Sequence, residues 1–281
     1  NKNDYQLLMK EIVFRALHPK VNPYKKDIQQ VRSLGKFGYY LEHLNIILGC
    51  YQRIVNEDLV ELNERVTRHL LENSLSYDHY HADLLPHVKM KWSADQAAII
   101  HSIWLFDQNN DTDLSSELSQ KWINFMDMNG THRPTGLFIT EVLGTRKFSN
   151  HPRGCALSYL VHYMGGFAPY KAKDQWGRYK KHMLIRVMGR TGFREYLEDY
   201  DGSWTPDSGP IIAGVGIAAT GLGLNAASTI GDRKTYRLLE KSMNPVHSML
   251  IKGNMIPGIN KVSKIGTDLL SLAIWLNAET K

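Results

Sequence analysis

Helical stretches without a single charged residue return along this chain at a near-constant interval. Residues 97–105, 156–167, 211–227 and 269–276 carry no Asp, Glu, Lys or Arg. Between them lie helices with charge on one face, as Glu61, Glu64, Arg65 and Arg68 show for 59–75. A helix apolar all round is buried, and an amphipathic one covers it. The alternation therefore predicts an inner layer of helices wrapped by an outer one. Tyr40, Asp95, Arg153, Asp207 and Lys264 mark the inner starts and stand 54 to 58 residues apart. A period of this length signals an array of helical hairpins.

Apolar spacing predicts helices over 5–17, 37–55, 59–75, 93–106, 114–128, 155–167, 176–188, 211–227, 234–250 and 262–276. Ser93 with Gln96 has the form of a capping box. Pro210 suits a first helical position. Gly214, Ala218 and Gly221 fall on one face of the helix expected there, which predicts close helix packing. Two stretches, Thr135–Gly136 before Leu137 to Glu141 and Thr191–Gly192 before Phe193 to Leu197, read as short extended hairpins leading into inner helices. The pattern is an all-α chain of a single domain over 1–281. Its helix pairs bury their inner faces best in a closed ring, an (α/α) toroid of five to six hairpins. Short β-hairpins then sit at the N-terminal end of the inner helices.

Composition narrows function. The chain has 281 residues, 43% of them hydrophobic, and a formal charge of +6. Its cations are scattered, which argues against a nucleic-acid surface. The uncharged stretch 209–231 is long enough to pose a membrane question. Its four internal glycines and its Thr, Asn and Ser residues make it too small-faced and polar for a span. Cys50 and Cys155 allow at most one disulfide. Asp78-His79-Tyr80-His81 lacks the second ligand pair a zinc site needs. Asp107 to Asp113 lacks the glycine and terminal Glu of a calcium loop. No metal or cofactor is expected.

If the inner helices converge, their first turns line one pocket. Tyr39, Tyr40, Glu42 and His43 come from the first, Trp92 and Asp95 from the second, Arg153 from the third, Trp204 and Asp207 from the fourth. Glu141 and Glu195 lie on the hairpins, where both can face the pocket mouth. Carboxyl groups supply acid and base, and aromatic rings stack on sugar faces. Asp95 and Asp207 are the expected catalytic pair, with Glu141 and Glu195 in reserve. Each Asp also has a plain structural role open to it, as a helix cap. Arg153 is expected to grip an anionic group, or to pair with Glu141 or Asp207. Tyr39, Tyr40, Trp92 and Trp204 line the substrate site together with Glu42 and His43. A buried Glu42 on an otherwise apolar helix requires a partner.

Trp92-Ser93-Ala94-Asp95-Gln96-Ala97, Pro152-Arg153-Gly154 and Pro206-Asp207-Ser208-Gly209-Pro210 resemble the six-hairpin glycosidase-like (α/α) toroid superfamily over residues 36–277. Within it they are similar to the branch related to linalool dehydratase-isomerase. The superfamily implies sugar-active hydrolases, lyases and epimerases with sites at inner-helix N-termini. The dehydratase branch implies cysteines in its pocket. The leading expectation is a bacterial carbohydrate-active enzyme, a glycoside hydrolase or uronate lyase, with a small-molecule or oligosaccharide substrate. Two alternatives remain open. One is a lyase or isomerase of a small alcohol using Cys155 and His43, the other a non-catalytic toroid that binds a glycan or a protein. The start at Asn1 and the resemblance lean toward an extracytoplasmic setting.

Overall fold

A computed structural model describes residues 2–251, apart from positions 36, 57, 201 and 204. The helix expected over 262–276 and the candidate Trp204 lie outside the described residues. Among the described residues the protein is mostly helical. Its helices are α1 Lys2–Leu17, α2 Gly38–Ile54, α3 Val60–Leu75, α4 Ser93–Asn110, α5 Ser115–Asn129, α6 Gly154–Phe167, α7 Pro169–Met183, α8 Ile217–Ile230 and α9 Arg233–Ile251. Short strands fill the connections: β1 Lys91–Trp92, β2 Thr131–His132, β3 Leu137–Phe138, β4 Glu141–Gly144, β5 Lys147–Phe148, β6 Leu184–Val187, β7 Arg190–Phe193, β8 Ile211–Ile212 and β9 Val215–Gly216. The chain divides into two compact units. The first holds residues 1–131, 141–149 and 166–168, the second the remainder.

The expected alternation of buried and half-exposed helices is present in the first unit. Twelve of the eighteen residues of α4 are buried, against six of sixteen in α3, so α4 is enclosed and α3 covers. Ala97, Ala98, Ile99, Ile100 and Ile103 are wholly buried. The α2 helix packs on both neighbours through one polar node. Asn45 donates to Thr67 Oγ1 and to Ser102 Oγ, each at 3.0 Å, and accepts from Asn63 at 2.7 Å. A buried amide satisfied on every side fixes the register of three helices, because any slip leaves it unpaired. Gly38 opens α2 because the chain at Asp83 crosses there. A Cβ at position 38 would stand 2.2 Å from the Asp83 carbonyl oxygen, which instead accepts the Gly38 N–H at 3.1 Å.

Three local expectations are corrected. Gln96 does not close a capping box with Ser93. Its side chain accepts the Ala82 N–H at 2.9 Å and donates to Ser74 at 3.0 Å, tying a loop and α3 to the start of α4. Ser93 is itself helical, with Trp92 at the N-cap. The helix expected over 176–188 runs Pro169–Met183, and the chain then turns back as β6–β7. Met188 and Gly189 both have positive φ, 49° and 77°, the geometry of a two-residue hairpin turn. The helix expected from Ile211 starts at Ile217. Ala213 and Gly214, at φ 49° and 81°, make a second two-residue turn between β8 and β9. Pro210 therefore precedes a strand, and Gly214 serves the turn rather than a helix face. In both places apolar residues continue a helical rhythm across a turn that backbone geometry dictates.

Candidate functional site

The expected site residues divide between the two units. In the first, the opening turns of α2 and α4 lie together and bring Glu42 beside Asp95. Glu42 is wholly buried. Neither of its oxygens accepts a hydrogen bond from a described residue. The His43 Nδ1 lies 3.3 Å from Glu42 Oε1 but directs its proton to the Tyr39 carbonyl at 2.9 Å. The bond open to Glu42 is one that it donates as an acid, to the Asp95 carboxylate. Burial pushes the Glu42 carboxyl well above the usual carboxylate range, and the Asp95 charge and hydrogen bond push it further. Two adjacent carboxyl groups cannot both ionise cheaply, so the pair shares a proton. Asp95 is the half-buried member, at a helix N-terminus that favours its negative form.

Around this pair stand groups of the expected kind. Tyr39 is exposed, with its ring 4.9 Å from that of His43. Burial pulls the His43 imidazole down, so it is neutral at pH 7. Trp92 ends β1 and leads straight into α4. It faces Glu141 in the antiparallel β1–β4 pairing. Glu141 thus lies across one strand pair and one helical turn from Asp95. Tyr40 has a different task. Its hydroxyl donates to the Ala16 carbonyl at 2.8 Å and holds α1 to α2.

The second unit gathers Arg153, Cys155, Glu195 and Asp207 at the start of α6. Glu195 follows β7 and is wholly buried, but in contrast to Glu42 it is surrounded by donors. Arg153 Nε reaches its Oε1 at 3.1 Å, the Cys155 N–H its Oε2 at 3.0 Å, and the Cys155 thiol its Oε1 at 3.1 Å. Its main-chain carbonyl accepts the Gly154 N–H at 2.8 Å. Burial raises the Glu195 carboxyl, and Cys155 and Arg153 oppose that rise. Burial and then the Glu195 charge raise the Cys155 thiol well above its ordinary value, so it is a protonated donor and not a thiolate nucleophile.

Arg153 is fully engaged. Beyond Glu195 it meets Asp207 Oδ2 at 3.1 Å through Nη1 and donates to Thr205 at 2.6 Å through Nη2. It holds the 205–207 segment onto α6, which leaves little of it for a substrate anion. Asp207 is 62% exposed and serves as the outer partner of that clamp.

Two motifs set aside on spacing have structural roles. Trp122 Nε1 donates to His81 Nε2 at 3.2 Å, so the other ring nitrogen carries the proton and gives it to the His79 carbonyl. Burial holds the His81 pKa down to about 3. Asp107 closes the start of α5 by accepting the N–H groups of Leu114 and Ser115, each at 2.9 Å. Among the described residues no group of three or more His, Cys, Asp or Glu is placed to hold a metal ion. Among the described residues no helix is long and apolar enough to cross a membrane.

Comparison with known proteins finds no family model that matches the chain and no curated protein similar to it. Glu42 as the partner of Asp95 and Cys155 as the partner of Glu195 are the pairings that sequence reasoning missed. The signal for the first was present in a carboxylate on an apolar helix. The second had only the position of a thiol beside a helix start.

Proposed function

We propose that this protein is a carbohydrate-active enzyme of the acid–base type, built on an (α/α) toroid, with the Glu42–Asp95 pair as its catalytic centre. One observation carries the reading: Glu42 is a wholly buried carboxyl without any donor among the described residues, coupled to a half-buried Asp95. A buried polar group left without donors demands a reason. A pair of carboxyls whose proton affinities are driven apart by their surroundings is the arrangement that acid–base chemistry needs. Asp95 acts at the substrate, and Glu42 behind it supplies or retains the proton. Trp92 and Tyr39 offer aromatic faces for a pyranose ring. Glu141 is the second carboxyl within the same unit. It replaces Asp207 in that role, since Asp207 is bound to Arg153.

The test is turnover on a panel of aryl glycosides, neutral oligosaccharides and oligouronides. Asp95→Asn should lower the rate by about 10²–10⁴-fold, the usual worth of a general acid or base, with an unchanged circular dichroism spectrum. Full activity in Asp95→Asn, or no turnover on any member of the panel, would overturn the reading.

A second reading, a lyase or isomerase of a small alcohol, is favoured by the Cys155–Glu195 contact. In it, the protonated Cys155 thiol gives its proton to the leaving hydroxyl, which departs as water. The Glu195 carboxylate removes the neighbouring C–H proton as the C=C bond forms. Glu195 then returns that proton to the Cys155 sulfur across 3.1 Å, which restores both groups. Dehydration of a small alcohol that is abolished by Glu195→Gln and slowed by Cys155→Ser would select this reading over the first.

A further inference from the structure

Far from the Glu42–Asp95 pair, the first unit contains a cleft of about 530 Å³ between the end of α4 and the start of α5. This volume lies within the range of small-molecule sites. Gln108, on its wall, lies thirteen residues beyond Asp95 on the same helix, about 20 Å along the axis at 1.5 Å per residue. The two helices supply matched rows. Trp104 and Gln108 are four residues apart on α4, and Gln120 and Asn124 are four apart on α5, so each pair shares one helix face.

The lining chemistry excludes most ligands. No Lys, Arg or His lines the cleft, so an anion finds no countercharge. Its two carboxylates are already committed. Asp107 accepts from Thr112 at 2.6 Å and from two main-chain N–H groups, and Asp113 accepts from the Ser116 hydroxyl. The amides of Gln108, Gln120 and Asn124 have no hydrogen-bond partner among the described residues. Each presents both a donor and an acceptor, which suits the hydroxyl rows of a sugar. Trp104 is half-buried, seated where position 166 is glycine. A Cβ there would stand 2.9 Å from its ring. Half-exposed on the cleft wall, it offers apolar ring surface next to those amides.

We infer that this cleft is a binding site for a neutral saccharide, separate from the catalytic centre. The inference does not depend on the acid–base reading. Its test is isothermal titration of the full chain with maltotriose, cellotriose, xylotriose and mannotriose in turn. At least one should bind. Trp104→Ala should weaken that binding about tenfold or more, the scale of a lost aromatic platform. Gln120→Ala, on an exposed helix face that folding does not need, should weaken it by a smaller factor. The same binding should persist in Asp95→Asn, which separates failure here from failure of the catalytic reading. Absence of binding by all four sugars would overturn the inference. So would binding that both variants leave intact, or tetramethylammonium binding in the cleft where the sugars do not.

Discussion

Two buried carboxyl groups, one in each unit, have opposite surroundings. Glu195 receives hydrogen bonds from a guanidinium, a main-chain N–H and a thiol, and its own carbonyl holds the start of α6. Glu42 receives none from the described residues and faces another carboxyl. The first arrangement offsets part of the desolvation penalty of a buried charge through its partners. The second does not, and keeps a proton instead. Burial alone therefore does not mark a functional carboxyl. The balance of donors around it separates a clamp from an acid.

That contrast is broken most directly by Glu195→Ala. Loss of one partner of a buried pair costs about 3–5 kcal/mol, so chemical denaturation should show a large drop in stability. A loss below about 1 kcal/mol would mean that the clamp is not structural. Next in size is a pH effect at His81, a buried group that is satisfied as Glu195 is, but in its neutral form. Its folded pKa, about 3, lies below the unfolded value near 6.5. The unfolded chain thus binds the extra proton first as the pH falls. The stability that His81 contributes is complete above pH 6.5 and declines below it, by at most about 1.4 kcal/mol per pH unit. Urea midpoints measured between pH 7 and 4 should fall, and His81→Gln should flatten the decline.

Glu42→Gln should have the opposite sign to Glu195→Ala. A raised carboxyl favours the folded state below its unfolded pKa and loses that advantage as the pH climbs toward the folded one. The amide donates to Asp95 at every pH. The variant should therefore be as stable as the parent, or more stable by about 1 kcal/mol, with a weaker pH dependence above pH 4.5 and little turnover. Marked destabilisation at pH 7 would place Glu42 with Glu195 as a structural group. The smallest effect is expected from Asp207→Asn. An exposed ion pair contributes about 0–1 kcal/mol, so its midpoint should hardly move. A larger shift would show that the 205–207 segment depends on Asp207.

The helices were legible in the sequence because apolar spacing reports a local 3.6-residue period. The nine expected over the described residues are all present, seven of them near their expected bounds. The two displaced ends, at Met188 and at Ile211 to Gly216, fail for one reason. A two-residue turn with positive φ is a backbone event, and Met188 and Ala213 give little sign of it in residue type. The candidate carboxyls were legible too, since Glu42, Asp95, Glu141 and Glu195 each stand out by type and position.

Partnership was decided only by tertiary packing. Asp95 was expected beside Asp207 because both open helices at the same phase of the repeat. Packing of α2 on α4 gives it Glu42, and the β7 return gives Arg153 and Cys155 to Glu195. Periodicity fixes which face a residue lies on, since that is set by bonds to near neighbours. The proton affinity of a carboxyl is set within a few ångströms by groups distant in sequence, and only the folded chain brings them there.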